Sequence, residues 1–233
     1  MRGGSNRQTN QNREPVDTGG SPATIATSSL GLKVRAGRAV VVILRGTRRA
    51  PEMVLRHEID LADPWVREST HPYHQELGDR GSEGVRARRR GCAAAGKAAR
   101  RAVRSLVRDM RSHGLDPRGA AIVVASLADP ARVPGAHARA HAEEGVLYRE
   151  AVESALGACG LRVAMFLEKN VRSVAVAQLR LSGQQVDAML KVFAREVGTP
   201  WRAPEKQAAL AAWLALSRSA GTHTPPRRRR ERV

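Results

Sequence analysis

Apolar and polar positions alternate over residues 30–34 and then give way, after Arg-Ala-Gly-Arg, to an almost unbroken apolar run over 38–44. A period of two is that of a strand, and Gly37 supplies the turn, so the two stretches predict a hairpin. Residues 52–61 alternate again and predict a third strand. The stretch 63–84, DPWVRESTHPYHQELGDRGSEG, has no period and is broken repeatedly by Pro, Gly and charge; it predicts a long loop. A helical period follows over 85–113. Ala95, Ala99, Ala102, Val103, Leu106, Val107 and Met110 share one face, Arg100, Arg101, Arg104, Arg108 and Arg111 the other, and Gly114 stands where a helix ends.

GAAIVVAS (119–126) is continuously apolar, as in a strand covered on both faces. A second helix is predicted over 137–158, ended by Gly160, and a fifth strand over 161–168. Three helical stretches, 171–181, 183–197 and 204–219, complete the pattern, with Ser182 and Pro204 at plausible helix starts. The order β-β-β-α-β-α-β-α, with extra C-terminal helices, predicts one three-layer α/β domain. Hairpins join its first three strands, and right-handed crossovers place the last two beside the first, in a mixed five-stranded sheet.

Residues 1–28 and 221–233 are too polar to offset the entropy of ordering, so both predict disordered tails around a domain at 29–220. Of the 233 residues 42% are hydrophobic but only 3% aromatic, which predicts a core of Ala, Val and Leu. Cys92 and Cys159 form no metal-ribbon or disulfide pattern and suit a reducing, cytoplasmic setting. No apolar leader opens the chain, and the longest apolar runs, 39–44 and 208–216, fall short of the ~20 residues of a membrane helix, so no membrane partner is expected.

The net charge of +18 is unevenly spread. Residues 86–104 carry eight basic side chains and no acid, and 227–232 carry five arginines and one glutamate. Such patches mark a polyanion binder and make nucleic acid the expected partner. Arg88, Arg89, Arg90, Arg100, Arg101, Arg104 and Arg108 are the candidate contacts; GC-rich coding produces the same arginine excess without any binding role.

His137, His141, Glu144 and Tyr148 stand at i, i+4, i+7 and i+11, one stripe of a helix expected to face the sheet. Two histidines at i, i+4 beside a carboxylate are able to hold a transition metal. The alternative, a hydrogen-bonded network satisfying polar groups where the helix enters the core, is the expected one, with no metal and no cofactor. Open α/β sheets bind ligands at the carboxyl ends of their strands, where Lys33, Ser126, Asp129 and Glu168 are expected, with Lys33, Ser126, His137 and His141 lining one pocket. HPYH (71–74) is read as loop lining the mouth of that pocket, and Trp201 and Trp213 as core.

The stretches GLKVRAGRAVVVIL (31–44) and PEKQAALAAWLAL (204–216), with the element order, resemble the ribonuclease H-like superfold and, within it, the Holliday-junction resolvases. The resemblance spans 29–219 and implies a magnesium-dependent phosphodiesterase built on four carboxylates. This chain departs from that set. The first-strand aspartate falls at Lys33, the final-helix pair at Glu205 and Ala208, and the fourth-strand carboxylate near Ser126 or Leu127. A cation at the centre repels metal, so the resemblance implies a fold kept after its nuclease chemistry was lost. Two alternatives stand: a nuclease, with magnesium as its cofactor, whose carboxylates have moved to Asp129, Glu144, Glu168 and Glu205, and a protein-interaction module with no nucleic-acid role.

Overall fold

A computed structural model describes residues 26–78 and 81–219. Its five strands are β1 (Ala26–Arg35), β2 (Arg38–Gly46), β3 (Pro51–Asp60), β4 (Leu115–Val124) and β5 (Arg162–Leu167). They form one sheet in the order β3-β2-β1-β4-β5. β2 runs antiparallel to both β1 and β3, while β4 is parallel to β1 and β5 parallel to β4. The six helices are α1 (Pro72–Gly78), α2 (Ser82–Ser112), α3 (Ala136–Ala158), α4 (Val171–Leu179), α5 (Gly183–Val197) and α6 (Ala203–Ser219). The sheet is thus the mixed five-stranded one expected, covered by helices on both faces in three layers. No helix among the described residues is long and apolar enough to cross a membrane.

Alternation along β1 divides the core. Leu30, Leu32 and Val34 pack with Val41, Ile43, Ile122 and the apolar faces of α2 and α3. The opposite face, with Val42, Leu44, Ala121 and Val123, packs on α4, α5 and α6. α6 is the most enclosed element, and every residue from 208 to 216 is buried. It lies against β1, β2 and β4 on one side and α4 on the other. Its approach is unusually close because Gly31 has no side chain: a Cβ there would stand 1.9 Å from the Ala208 carbonyl oxygen and 2.4 Å from the Ala212 nitrogen. The Ser29 hydroxyl, two residues earlier on the same face, donates to the Ala212 carbonyl at 2.7 Å. Trp213 is buried, and its indole N–H donates to the Arg48 carbonyl at 2.8 Å, while Trp201 packs at the edge of the same cluster, so both are core.

Several boundaries differ from the sequence expectation, among them β4, which begins at Leu115 and ends at Val124 instead of spanning 119–126. β1 begins at Ala26, inside the stretch read as tail, because Ala26 to Ser28 pair with Leu115 to Pro117; Ser28 and Ser29 are fully buried despite their polarity. The remainder of that tail, and the C-terminal tail with its arginines, lie outside the described residues. The stretch read as a loop contains a 3-10 turn at Arg67–Ser69 and the helix α1, and α2 starts at Ser82. At Ser182 the expected cap is a full capping box, with its hydroxyl accepting from the Gln185 N–H and the Gln185 side chain accepting from the Ser182 N–H.

Gly31 and Gly145 give a paired test. Gly31→Ala drives a methyl into helix backbone that cannot rotate away, and should cost about 1–3 kcal/mol or more. Gly145 lies within α3 with open space around it, so Gly145→Ala should be neutral or stabilise by up to about 1 kcal/mol. Urea unfolding of both variants checks the contrast.

Candidate functional site

The carboxyl end of β1 is where the resemblance puts chemistry. Lys33 lies on the α6 side of the sheet, opposite Leu32 and Val34, and its side chain is buried. Its Nζ sits 2.5 Å from the Glu168 Oε2, just past the end of β5. The ammonium therefore occupies the centre, and its partner is the nearest possible ligand. α6 runs antiparallel to β1, since Ala208 lies over Gly31 and Ala212 over Ser29, so its first turn reaches this same end and brings Glu205 with it. Glu205 is buried, and its Oε2 accepts from the Arg202 N–H at 2.8 Å, the reach-back of a helix-capping carboxylate.

The other candidates do not join this centre. Asp129 caps the 3-10 turn Pro130–Arg132 by accepting from the Ala131 N–H, and it is exposed. Ser126 is exposed and engaged locally with the Ala128 N–H. Glu144 belongs to α3, on the other face of the sheet, as do His137 and His141. Lys33 and the histidines are therefore not two walls of one pocket, and the four carboxylates of the relocated-nuclease alternative are divided between two layers. Among the described residues, the groups of three metal-ligating side chains that come within 4.8 Å of one another both include His74 and do not include Asp129, Glu168 or Glu205.

On that second layer the α3 stripe is only half buried. Glu144 and Tyr148 are enclosed, whereas His137 and His141 turn outward and meet α1. Glu144 accepts from or pairs with His71 Nδ1 at 2.9 Å and His74 Nδ1 at 2.8 Å, and also accepts from the His74 backbone N–H at 3.3 Å. The Tyr148 hydroxyl donates to the carbonyls of Ser69 and Thr70, which pins the turn leading into α1. Burial, helped by the neighbouring Glu144 charge, pushes the Tyr148 hydroxyl well above the usual phenol range, so it remains a donor. Desolvation, with His74 and His137 close by, moves His141 below the ordinary imidazole value and favours its neutral form. His71 and His74 were legible only as an i, i+3 pair in HPYH; their partner Glu144 is too distant in sequence to be read from spacing.

The basic helix divides as well. Arg88 pairs with Glu76 at 3.2 Å and lies over the Tyr73 ring, and Arg90 pairs with Glu68 at 2.8 Å. The Arg90 guanidinium holds the Glu68 carboxyl below its usual range. Both arginines thus anchor the 67–78 segment, and Arg89 is exposed beside them. Farther along α2, Lys97, Arg100, Arg101, Arg104, Ser105 and Arg108 line one shallow groove. Arg108 lies 3.7 Å from Asp109, while Lys97, Arg100, Arg101 and Arg104 have no acidic partner among the described residues.

No protein-family model matches the chain, and no curated protein matches it. Among solved structures it is similar to T. thermophilus RuvC in complex with a Holliday junction substrate, at 10% identity and a TM-score of 0.49 over 81% of this chain and 91% of that one. Thermus thermophilus RuvC alone gives 9% identity and a TM-score of 0.47 over 80% and 92%. An Aquifex aeolicus member of the Ppx/GppA family gives 10% identity and 0.35 over 66% and 39%. The strand order and directions described above define the architecture independently of these likenesses.

The Lys33–Glu168 pair should respond asymmetrically to substitution. Glu168→Ala strands a buried ammonium and should cost about 2–3 kcal/mol, less than a fully enclosed pair because Glu168 is 41% exposed. Lys33→Met removes the buried charge and leaves a carboxylate free to turn to water, so it should cost under about 1 kcal/mol. Denaturant titration of each variant measures the difference, and equal losses would show that Lys33 does not depend on Glu168.

Proposed function

We propose that this chain is a non-catalytic ribonuclease H-like protein that associates with nucleic acid through the outer face of α2 and its basic C-terminal tail. The observation that carries the reading is the groove lined by Lys97, Arg100, Arg101, Arg104 and Arg108, of which the first four have no acidic partner among the described residues. Arg88 and Arg90, by contrast, serve the molecule's own 67–78 segment and contribute little to binding. Arginine forks match phosphate oxygens in pairs, and neutralising phosphates releases condensed counterions. With so few aromatic side chains, base stacking is minor and sequence preference weak.

Loss of catalysis follows from Lys33. A two-metal phosphodiesterase needs clustered anions to hold its ions. Here an ammonium stands at the centre, Glu168 is committed to it, and Glu205 and Asp129 cap helical turns. No cleavage of branched, duplex or single-stranded DNA is expected with magnesium or manganese. Lys33→Asp alone creates no nuclease, because Ala208 and the Ser126–Leu127 pair supply no carboxylate; robust cleavage by that variant would place the centre elsewhere.

Binding is tested by titrating labelled duplex and single strands at several salt concentrations. Affinity should fall steeply as salt rises. Changing Arg100, Arg101 and Arg104 to Ser should weaken binding to all sequences alike and make the log–log salt slope shallower by up to about 3, at roughly 0.9 per duplex phosphate contact. Equal binding by wild type and the triple variant, or none at low salt, would leave a protein-interaction role in its place.

A further inference from the structure

Four of the chain's seven histidines meet at the junction of α1 and α3. The ring centroids of His74 lie 4.6 Å from His137 and 4.1 Å from His141, and those of His137 and His141 lie 4.7 Å apart. One nitrogen from each of these three comes within 4.8 Å of the other two. Nothing in the proposed nucleic-acid role uses this cluster.

Glu144 orients the cluster. Its carboxylate is 1% exposed and engages His74 at Nδ1, so in the neutral ring the proton sits there and Nε2 carries the lone pair. That Nε2 is buried and has no hydrogen-bond partner. An orphaned buried polar atom costs about 1–3 kcal/mol unless something fills it. Beside it, the Nε2 atoms of His137 and His141 face one another at 3.2 Å. Two imidazoles bound to one tetrahedral zinc, each at about 2.0–2.1 Å, place their nitrogens about 3.4 Å apart. The pair is already at ligand spacing. A carboxylate behind one histidine is also the arrangement that orients imidazoles on zinc and raises their basicity.

We propose that His74, His137 and His141 bind a zinc-class divalent transition-metal ion through their Nε2 atoms, with Glu144 as the buried carboxylate that positions His74. His71, also held by Glu144, completes the surround without being required as a ligand. Imidazole ligation selects transition metals over magnesium and calcium, which take oxygen. His137 and His141 are solvent-exposed, so the fourth position opens outward and takes water. The ion clamps α1, a helix of only seven residues, onto α3, and it does so on the opposite side of the sheet from Lys33.

The test is calorimetric titration of the full, tag-free chain, stripped with chelator, using zinc alone and then magnesium alone. One zinc per chain at micromolar affinity or tighter, with no magnesium uptake at the same site, is the expected result. Cobalt should give the visible absorption of a tetrahedral nitrogen-ligated ion. The double variant His137→Ala/His141→Ala changes only exposed side chains, so it should fold while losing more than about 100-fold in affinity and all of the cobalt spectrum. Glu144→Gln should weaken zinc about 10- to 100-fold, as loss of an outer-shell carboxylate does. Absence of zinc binding below millimolar concentration overturns the proposal. So does zinc binding by the double variant equal to wild type, which would locate the ion on other residues. DNA titrations of the same double variant keep this result separate from the nucleic-acid reading.

Discussion

The absence of a side chain at Gly31 sets the distance between the sheet and its covering helix. With the Ala208 carbonyl within 1.9 Å of where a Cβ would stand, α6 rests on β1 backbone to backbone. Such an approach demands small residues on the helix side, and α6 supplies Ala208, Ala211, Ala212 and Ala215. Close packing of small groups then does what aromatic bulk does elsewhere, which is how a chain with 3% aromatic residues fills a three-layer core. The hydrogen bond from Ser29 to the Ala212 carbonyl fixes the axial position of the helix, so α6 cannot slide along the strand to relieve a change at Gly31.

That fixed register governs the carboxyl end of the sheet. Because α6 runs against β1, its first turn is delivered beside Lys33 and Glu168 at the carboxyl end of the sheet. The scaffold brings the right elements together, yet the groups they carry neutralise one another or cap helices. Architecture and chemistry are therefore separable here: the close packing that holds α6 over Gly31 does not require an acid at 33, and a buried lysine with an exposed-side partner fills the same volume. The fold rests on apolar contacts and helix geometry, which are indifferent to the charge carried at position 33.

Local pattern made most of the fold legible. Alternation at 30–34, the glycine turn at 37 and the arginine face of α2 each report a period that a single element imposes on its own sequence. Lys33 against Glu168 was legible for the same reason, since strand direction alone places both at one sheet end. What local pattern did not reveal is held by distant partners. The helix α1 has seven residues and no apolar period; it forms because Arg88 and Arg90 pair with Glu76 and Glu68 around it and Glu144 holds His74 within it and His71 just before it. Gly91 allows that segment to come near, since a Cβ there would meet the Glu68 carbonyl at 2.6 Å. The first residues of β1 were hidden likewise, for the sequence Ala-Thr-Ser-Ser becomes strand only through β4.

The two layers communicate through one short stretch. β1 presents Gly31 and Lys33 to α6 on one face and ends two residues later, and the turn at Gly37 then accepts hydrogen bonds from the N–H groups of Leu61 and Ala62. The same segment runs on to Ser69 and Thr70, whose carbonyls are held by Tyr148 of α3, and then into His71 and His74. The segment that carries His71 and His74 is thus tied to the β1–β2 turn at Gly37, although the sheet separates the cluster from Lys33. His74 is placed by the hydrogen bonds that Glu144 accepts from it and that Tyr148 donates to the turn before α1, while His137 and His141 are spaced by their i, i+4 positions on α3. A buried, hydrogen-bonded carboxylate beneath exposed histidines is what distinguishes a built constellation from a surface coincidence.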